Sequence, residues 1–164
     1  MNFWLVLITG LIPLAVGFVY YSKAVVGKAW MNVNGFTDSD LEGGNMALTF
    51  GLSYIGGILI SLIVLFMVIH QMGLFSVLAT EPGFDDPNSA VGQYFAQFNE
   101  QYGTKHRSFG HGFMHGSMSA LLLVGSVIMT NALFEKRGFK YILIHTIYWV
   151  ITLGLIGGVL CQFF

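Results

Sequence analysis

The chain has 164 residues, of which only 9% are charged; seven basic and eight acidic residues give a net charge of −1. The hydrophobic fraction is 55% and the mean hydropathy is +0.71, whereas an ordinary soluble domain has about 25% charged residues. This composition excludes a soluble globular domain, a disordered chain and a nucleic-acid binder, and it indicates an integral membrane protein.

Every charged residue lies in one of three ranges, 23–42, 81–107 and 135–140. The remaining sequence forms charge-free stretches long enough for spanning helices, which need about 20 apolar residues each. These four stretches are 1–22, 43–80, 108–134 and 141–164. Their polarity does not alternate as it would in barrel strands. We therefore predict an all-α fold, with a single membrane domain over 1–164 built as a four-transmembrane-helix bundle.

The first spanning helix is predicted over about 3–21, with Pro13 in its middle. A proline is tolerated there because neighbouring helices can satisfy the freed carbonyl. The loop that follows has apolar residues at helical spacing over 22–31, which predicts a short interfacial helix. Thr37 with Asp40 three residues later is typical of a helix start.

The second spanning helix is predicted over about 46–72, with Asn45 as its N-cap. The next loop is too long to lack structure in a compact protein. Within it, Pro87 after an aspartate marks a helix start, and Gly103 marks a helix end. We predict an amphipathic surface helix over about 87–102.

The third and fourth spanning helices are predicted over about 109–134 and 141–163, joined by a tight turn at 135–140. Lys and Arg residues number five in loops 23–45 and 135–140 together and two in loop 81–107. Because cytoplasmic loops are enriched in these residues, we expect loops 23–45 and 135–140 to be cytoplasmic. Both termini and loop 81–107 are then extracytoplasmic.

Three histidines are predicted to meet at the outer end of the helices. His111 and His115 share a helix face because they are four residues apart, and His70 lies far enough along the second helix to reach the same end. Ionisable residues at membrane depth are functional candidates, and imidazoles at this spacing suit zinc, iron or haem. The alternative is a polar packing cluster, since no H-E-x-x-H motif accompanies the pair.

A second polar cluster is predicted at the inner end, where the tight turn makes Asn131 and His145 neighbours. Interhelical hydrogen bonding explains such a pair, at roughly 0.6 kcal/mol on average. A proton or substrate relay is the alternative. No acidic residue lies in any predicted span, which argues against an ion-driven pump.

Small residues recur at four-residue spacing on three of the predicted helices. Such residues let helices approach closely, within one chain or between protomers. The predicted helix-packing residues are Gly112, Gly116, Gly154, Gly158, Ser53, Gly57 and Ser61.

Several segments resemble a known family. They are GFVYYSKAVVGKAWM at 17–31, GFTDSDLEGGNMA at 35–47, HGFMHG at 111–116 and NALFEKRGFKYILI at 131–144. Together they resemble the small bacterial membrane proteins grouped as domain of unknown function 1761. The resemblance implies a bacterial, multi-helix protein of the cytoplasmic membrane. It implies no activity and no functional residues.

The sequence contains no phosphate loop, no C-x-x-C and no Ser/His/Asp order, so no catalytic residue is assigned and an enzyme is not favoured. The favoured hypothesis is a non-enzymatic structural, accessory or small-molecule-binding component of the bilayer, acting as a homo-oligomer or with a partner membrane subunit. Two alternatives remain. One is a metal- or haem-binding membrane protein that uses the outer histidines, and the other is an oligomeric small-solute transporter or channel.

Overall fold

The computed structural model describes residues 2–164, which form helices and turns without a β-strand. The predicted all-α class is thereby confirmed. The helices are α1 Trp4–Thr9, α2 Ile12–Tyr20, α3 Gly27–Asn34, α4 Met46–Val68, α5 Gln71–Leu78, α6 Ala90–Tyr102, α7 Phe109–Ser119, α8 Gly125–Phe134 and α9 Phe139–Phe163. A 3₁₀ turn covers Ser39–Leu41, and a π-helical turn at Ala120–Val124 joins α7 to α8.

Three helical stretches are long and apolar enough to cross a membrane. They are Met46–Val68, Phe109–Phe134 and Phe139–Phe163, with mean hydropathies of 2.3, 1.7 and 1.9. Their outward side chains are also apolar, as at Leu59 and Leu122, which are 59% and 65% exposed. Exposed leucines at this density suit a lipid solvent better than water. These are the properties of a membrane protein.

The first apolar stretch, Trp4–Tyr20, is shorter than the other three and is divided into α1 and α2, where one helix over 3–21 was expected. Pro13 explains the division, because it lacks the amide that would bond the Thr9 carbonyl. Gly10 lies at the break, and a Cβ at Gly57 of α4 would overlap its carbonyl oxygen. The break therefore lies where α4 approaches the first stretch most closely.

The second apolar stretch also differs from the helix expected over 46–72. Asn45 caps α4 as predicted, by accepting a hydrogen bond from the Leu48 amide at 3.1 Å. The helix then ends because Ile69 has an extended backbone, with φ −104° and ψ 94°. In α5, Phe75 packs against Phe95 of α6, with ring centroids 6.3 Å apart. The extended residue thus turns the chain out of the α4 axis and against α6.

Both loop helices begin later than the sequence indicates. The helix expected over 87–102 begins at Ala90, because the Ser89 side chain accepts a hydrogen bond from the Gly92 amide at 2.9 Å. The helix expected within 22–31 is α3. It ends at Gly35, whose φ of 73° is left-handed and is therefore readily adopted by glycine.

The closest helix contact joins α7 to α9, which run antiparallel. A Cβ at Gly112 would overlap the carbonyl oxygen of Gly157, and a Cβ at Gly116 would overlap the carbonyl oxygen of Leu153. Only glycine permits backbones to approach this closely. Gly112 and Gly116 are therefore contact residues within the chain.

The other predicted packing residues lie in different surroundings. Gly154 lies against the Ser117 hydroxyl and the Phe113 ring, and Gly158 lies against the Phe109 ring. Ser61 is fully buried, whereas Ser53 is exposed. The small residues of α7 and α9 thus make room for the backbone or an aromatic ring of the opposite helix.

Contacts at the two ends of the helices show which termini lie together. At one end, which we call the tyrosine end, the Tyr20 hydroxyl donates to the Ile144 carbonyl at 3.0 Å. At the opposite end, which we call the histidine end, the buried Cys161 thiol donates to the carbonyls of Val68 at 3.5 Å and His106 at 3.3 Å. α4 and α9 therefore run from the tyrosine end to the histidine end, and α7 and α8 run back.

The glycine contact between α7 and α9 predicts different effects for two alanine substitutions on one helix. Gly116→Ala places a methyl group against the Leu153 backbone and should lower the free energy of unfolding by about 1–3 kcal/mol. Gly110→Ala meets no atom within 4 Å and should change it by less than about 1 kcal/mol. Denaturation in mild detergent by sodium dodecyl sulfate measures both. Equal destabilisation by the two variants would contradict the contact.

Candidate metal centre

The three histidines predicted to meet do lie together at the histidine end. His70 occupies the break between α4 and α5, and His111 and His115 lie one turn apart on α7. One ring nitrogen of each residue lies within 4.8 Å of the other two. The Nε2 atoms of His70 and His111 are 2.9 Å apart, and the ring centroids of His111 and His115 are 4.4 Å apart.

Local structure at both ends of α7 positions the histidine pair. The Ser108 hydroxyl begins the helix by accepting a hydrogen bond from the His111 amide at 3.3 Å. One turn beyond the pair, the Ser119 hydroxyl donates to the His115 carbonyl at 2.8 Å, directly before the π-helical turn. The glycine contact with α9 lies between these two hydrogen bonds. The rotation of α7, and with it the direction of both imidazoles, is therefore fixed by packing.

The electrostatics at His70 favour a neutral imidazole. Burial lowers its pKa, and the nearby imidazoles of His115 and His106 lower it further. The ion pairs formed within residues 2–164 join Lys23 to Asp38 and Arg137 to Glu135, so neither supplies a carboxylate to the histidines. A neutral imidazole has a lone pair that can bind a metal ion.

His106 forms a side wall of the cluster. Its ring stacks on His111 with centroids 4.9 Å apart and an interplanar angle of 21°. Its backbone is left-handed, with φ 63°, which is uncommon for a residue other than glycine. No sequence pattern indicates this turn, which directs the His106 ring toward His111.

An open groove of about 260 Å³ lies beside His70. Its other lining residues are Gln71, Phe98, Tyr102, Lys105 and His106. The Gln71 amide donates to the carbonyls of Tyr102 at 2.8 Å and Lys105 at 2.9 Å, which holds the end of α6 against α5. His70 itself is exposed. A group bound at the histidines would therefore be reachable from water.

The nitrogen spacing fits a small transition-metal ion. Zinc binds imidazole nitrogen at about 2.0–2.1 Å, so tetrahedral ligands lie about 3.4 Å from one another. The separation of 2.9 Å between His70 and His111 is below this value, and the limit of 4.8 Å for the trio is above it. The separations within the trio therefore bracket the one that a single tetrahedral ion requires.

The predicted inner cluster takes a different form. His145 is half-buried, and its Nδ1 lies 3.2 Å from the Tyr21 hydroxyl; its ring centroid is 4.3 Å from that of Tyr141. The Asn131 side chain is exposed and has no hydrogen-bond partner within residues 2–164. The polar partner of His145 is therefore Tyr21, which directly follows the first apolar stretch. The tight turn alone could not reveal this, because it does not fix the rotation of α8.

Comparison with protein families gives a match. The model of a family described as protein of unknown function (DUF1761) matches residues 4–161, which confirms the family resemblance of the sequence. No curated protein and no solved structure matches the chain.

The hydrogen bond between Tyr21 and His145 predicts a stability difference between two tyrosine variants. Tyr21→Phe leaves both ring nitrogens of His145 without a protein partner, since Nε2 is already buried without one. We expect a loss of about 1–3 kcal/mol in unfolding free energy. Tyr54→Phe also removes one hydroxyl, whose bond to the Leu7 carbonyl is exposed, and should cost under about 1 kcal/mol. Denaturation in mild detergent compares them, and a larger loss for Tyr54→Phe would refute the assignment.

Proposed function

The chain belongs to the DUF1761 family of unknown function, and because membership assigns no activity, we propose its function from the geometry of the histidines. The protein is a multi-pass membrane protein that binds one zinc-like transition-metal ion through His70, His111 and His115. The observation that carries this proposal is the convergence of three ring nitrogens within 4.8 Å.

The hydrogen bonding of the cluster supports metal binding over simple packing. The short contact between His70 and His111 joins two Nε2 atoms, so one ring must hold a proton that the other accepts. Most side-chain hydrogen bonds in proteins instead go to the backbone or to water. A metal ion would take the place of that proton and use the lone pairs of all three rings.

The same contact favours a single ion over haem. A distance of 2.9 Å between His70 and His111 leaves no room for a macrocycle between their rings. Imidazole ligands suit zinc, copper, iron and nickel. Three protein ligands leave a fourth position open to water or to a further ligand, and the exposed side of His70 gives access to that position.

We place the helices in the membrane as follows. The stretch formed by α1 and α2, together with α4, the α7–α8 stretch and α9, makes four crossings, and α3 and α6 lie at the membrane surfaces. The positive charges of loops 23–45 and 135–140 favour the cytoplasmic side for both. Loop 81–107 and the metal centre are then extracytoplasmic.

Removal of either member of the pair on α7 should abolish tight zinc binding. For His111→Ala and His115→Ala, we expect the dissociation constant to rise by more than about 100-fold, beyond the 10–100-fold typical of residues behind the ligands. Isothermal titration of the purified protein with Zn²⁺ measures this constant. Cobalt substitution adds an optical spectrum that reports the coordination geometry.

His106→Asn is the matched control for the metal centre. It removes an imidazole at the same end of the molecule, and asparagine tolerates the left-handed backbone at this position. His106 stacks on His111 and does not hydrogen-bond it, so we expect the zinc affinity of this variant to stay within about tenfold of the unsubstituted protein, at the low end of the 10–100-fold range for residues behind the ligands. Zinc affinity unchanged in all three variants would favour the packing cluster and sink the proposal.

The orientation predicts which loop is accessible from outside the cell. Asp85→Cys, in loop 81–107, should react with a membrane-impermeant maleimide on intact cells. Lys136→Cys, in loop 135–140, should react only after permeabilisation. The native Cys161 is fully buried and gives little background. The reverse labelling pattern would invert the topology.

A further inference from the structure

A second cavity lies between α5, α6 and the end of α9. Its volume is about 290 Å³, which is close to the lower limit for small-molecule sites. Its walls are mainly apolar and aromatic, with the three polar residues Gln71, Asn99 and Arg107, and the apolar side chains include Met72, Phe75, Phe95 and Phe164.

Arg107 contributes a positive charge to this apolar cavity. The residue is half-buried, and its Nε donates to the Cys161 carbonyl at 2.9 Å. The two terminal nitrogens have no hydrogen-bond partner within residues 2–164, and neither ion pair of that range includes Arg107. The two terminal nitrogens are not among the buried polar atoms that lack a partner, so they are accessible from the cavity side. The guanidinium can therefore donate two parallel hydrogen bonds to an anion that enters the cavity.

The position of the cavity limits the anion to one chemical class. α4 ends just before it, and α7 begins two residues after Arg107, so the guanidinium lies at the depth where spanning helices meet the lipid head groups. An apolar cavity with one cation at this depth matches a molecule that has an anionic head and a single apolar chain.

We propose that this cavity binds a single-chain anionic lipid. The head-group oxygens accept hydrogen bonds from the terminal nitrogens of Arg107, whose planar fork suits carboxylate and phosphate alike. The acyl chain lies among Met72, Phe75 and Phe95. This site does not depend on metal binding.

Binding is measured by native mass spectrometry of the full chain in a neutral detergent. The probes are dodecanoate, dodecyl phosphate and dodecylammonium, which share one chain and differ in the head group. We expect one saturable adduct with an anionic probe and none with dodecylammonium. Preference for dodecanoate or for dodecyl phosphate identifies a fatty acid or a lipid phosphate as the source. Equal binding of dodecylammonium would overturn the proposal.

Substitutions at two residues test the roles of charge and cavity separately. Arg107→Gln should weaken binding of the preferred anion at least tenfold, and Arg107→Lys should weaken it less. Asn99→Phe fills the cavity, keeps the guanidinium, and should also weaken binding at least tenfold. The matched control is Arg137→Gln, which removes a half-exposed arginine at the tyrosine end and should bind as the unsubstituted protein does.

Thermal midpoints show which variants are folded. Arg107→Gln loses its bond to the Cys161 carbonyl, so Asn99→Phe decides the question if Arg107→Gln does not fold. Unchanged anion binding in every variant that folds would refute the proposal.

Discussion

The backbone contact between α7 and α9 determines much of what the histidine end can do. Lipid provides no hydrophobic drive for helices to associate, so close van der Waals contact at small residues must hold them together. Gly112 and Gly116 provide this contact, and each directly follows one of the paired histidines. The glycines and the histidines are both four residues apart, so the angle around the helix axis between the two pairs is fixed. The packing that joins α7 to α9 therefore also aims His111 and His115 at the end of α4.

The third histidine depends on the end of α4. The extended Ile69 ends the helix, so the last carbonyls of α4 lack hydrogen-bond partners within the helix, as at every helix end. Cys161 supplies one of these partners, because its thiol donates to the Val68 carbonyl; the thiol also contacts the His106 carbonyl. The lone cysteine thus has a structural explanation that requires no redox chemistry. It ties the end of α9 to both segments that carry histidines beside α7.

Helix periodicity and length sufficed to predict that the three histidines meet. The four-residue spacing puts His111 and His115 on one helix face, and the number of residues before His70 puts it at the same end of the helices. The four-residue spacing of small residues also predicts Gly112, Gly116 and Gly154 as packing residues. It does not predict Gly157, the contact of Gly112, because Gly157 lies outside the G-x-x-x-G pattern of Gly154 and Gly158 and helix rotation depends on the whole interface. The surroundings of Arg107 are not predictable either, since the burial of a loop charge depends on where α6 lies.

The histidine cluster and the Arg107 cavity are linked by one short segment. The Gln71 side-chain amide donates to the carbonyl of Lys105. The Cys161 thiol contacts the carbonyl of His106, and the Cys161 carbonyl accepts from Arg107. Between these anchors the left-handed backbone of His106 lets two consecutive side chains face different sites. His106 stacks on His111, and Arg107 lines the apolar cavity. Any shift of this segment consequently changes the surroundings of both the histidine cluster and the cavity.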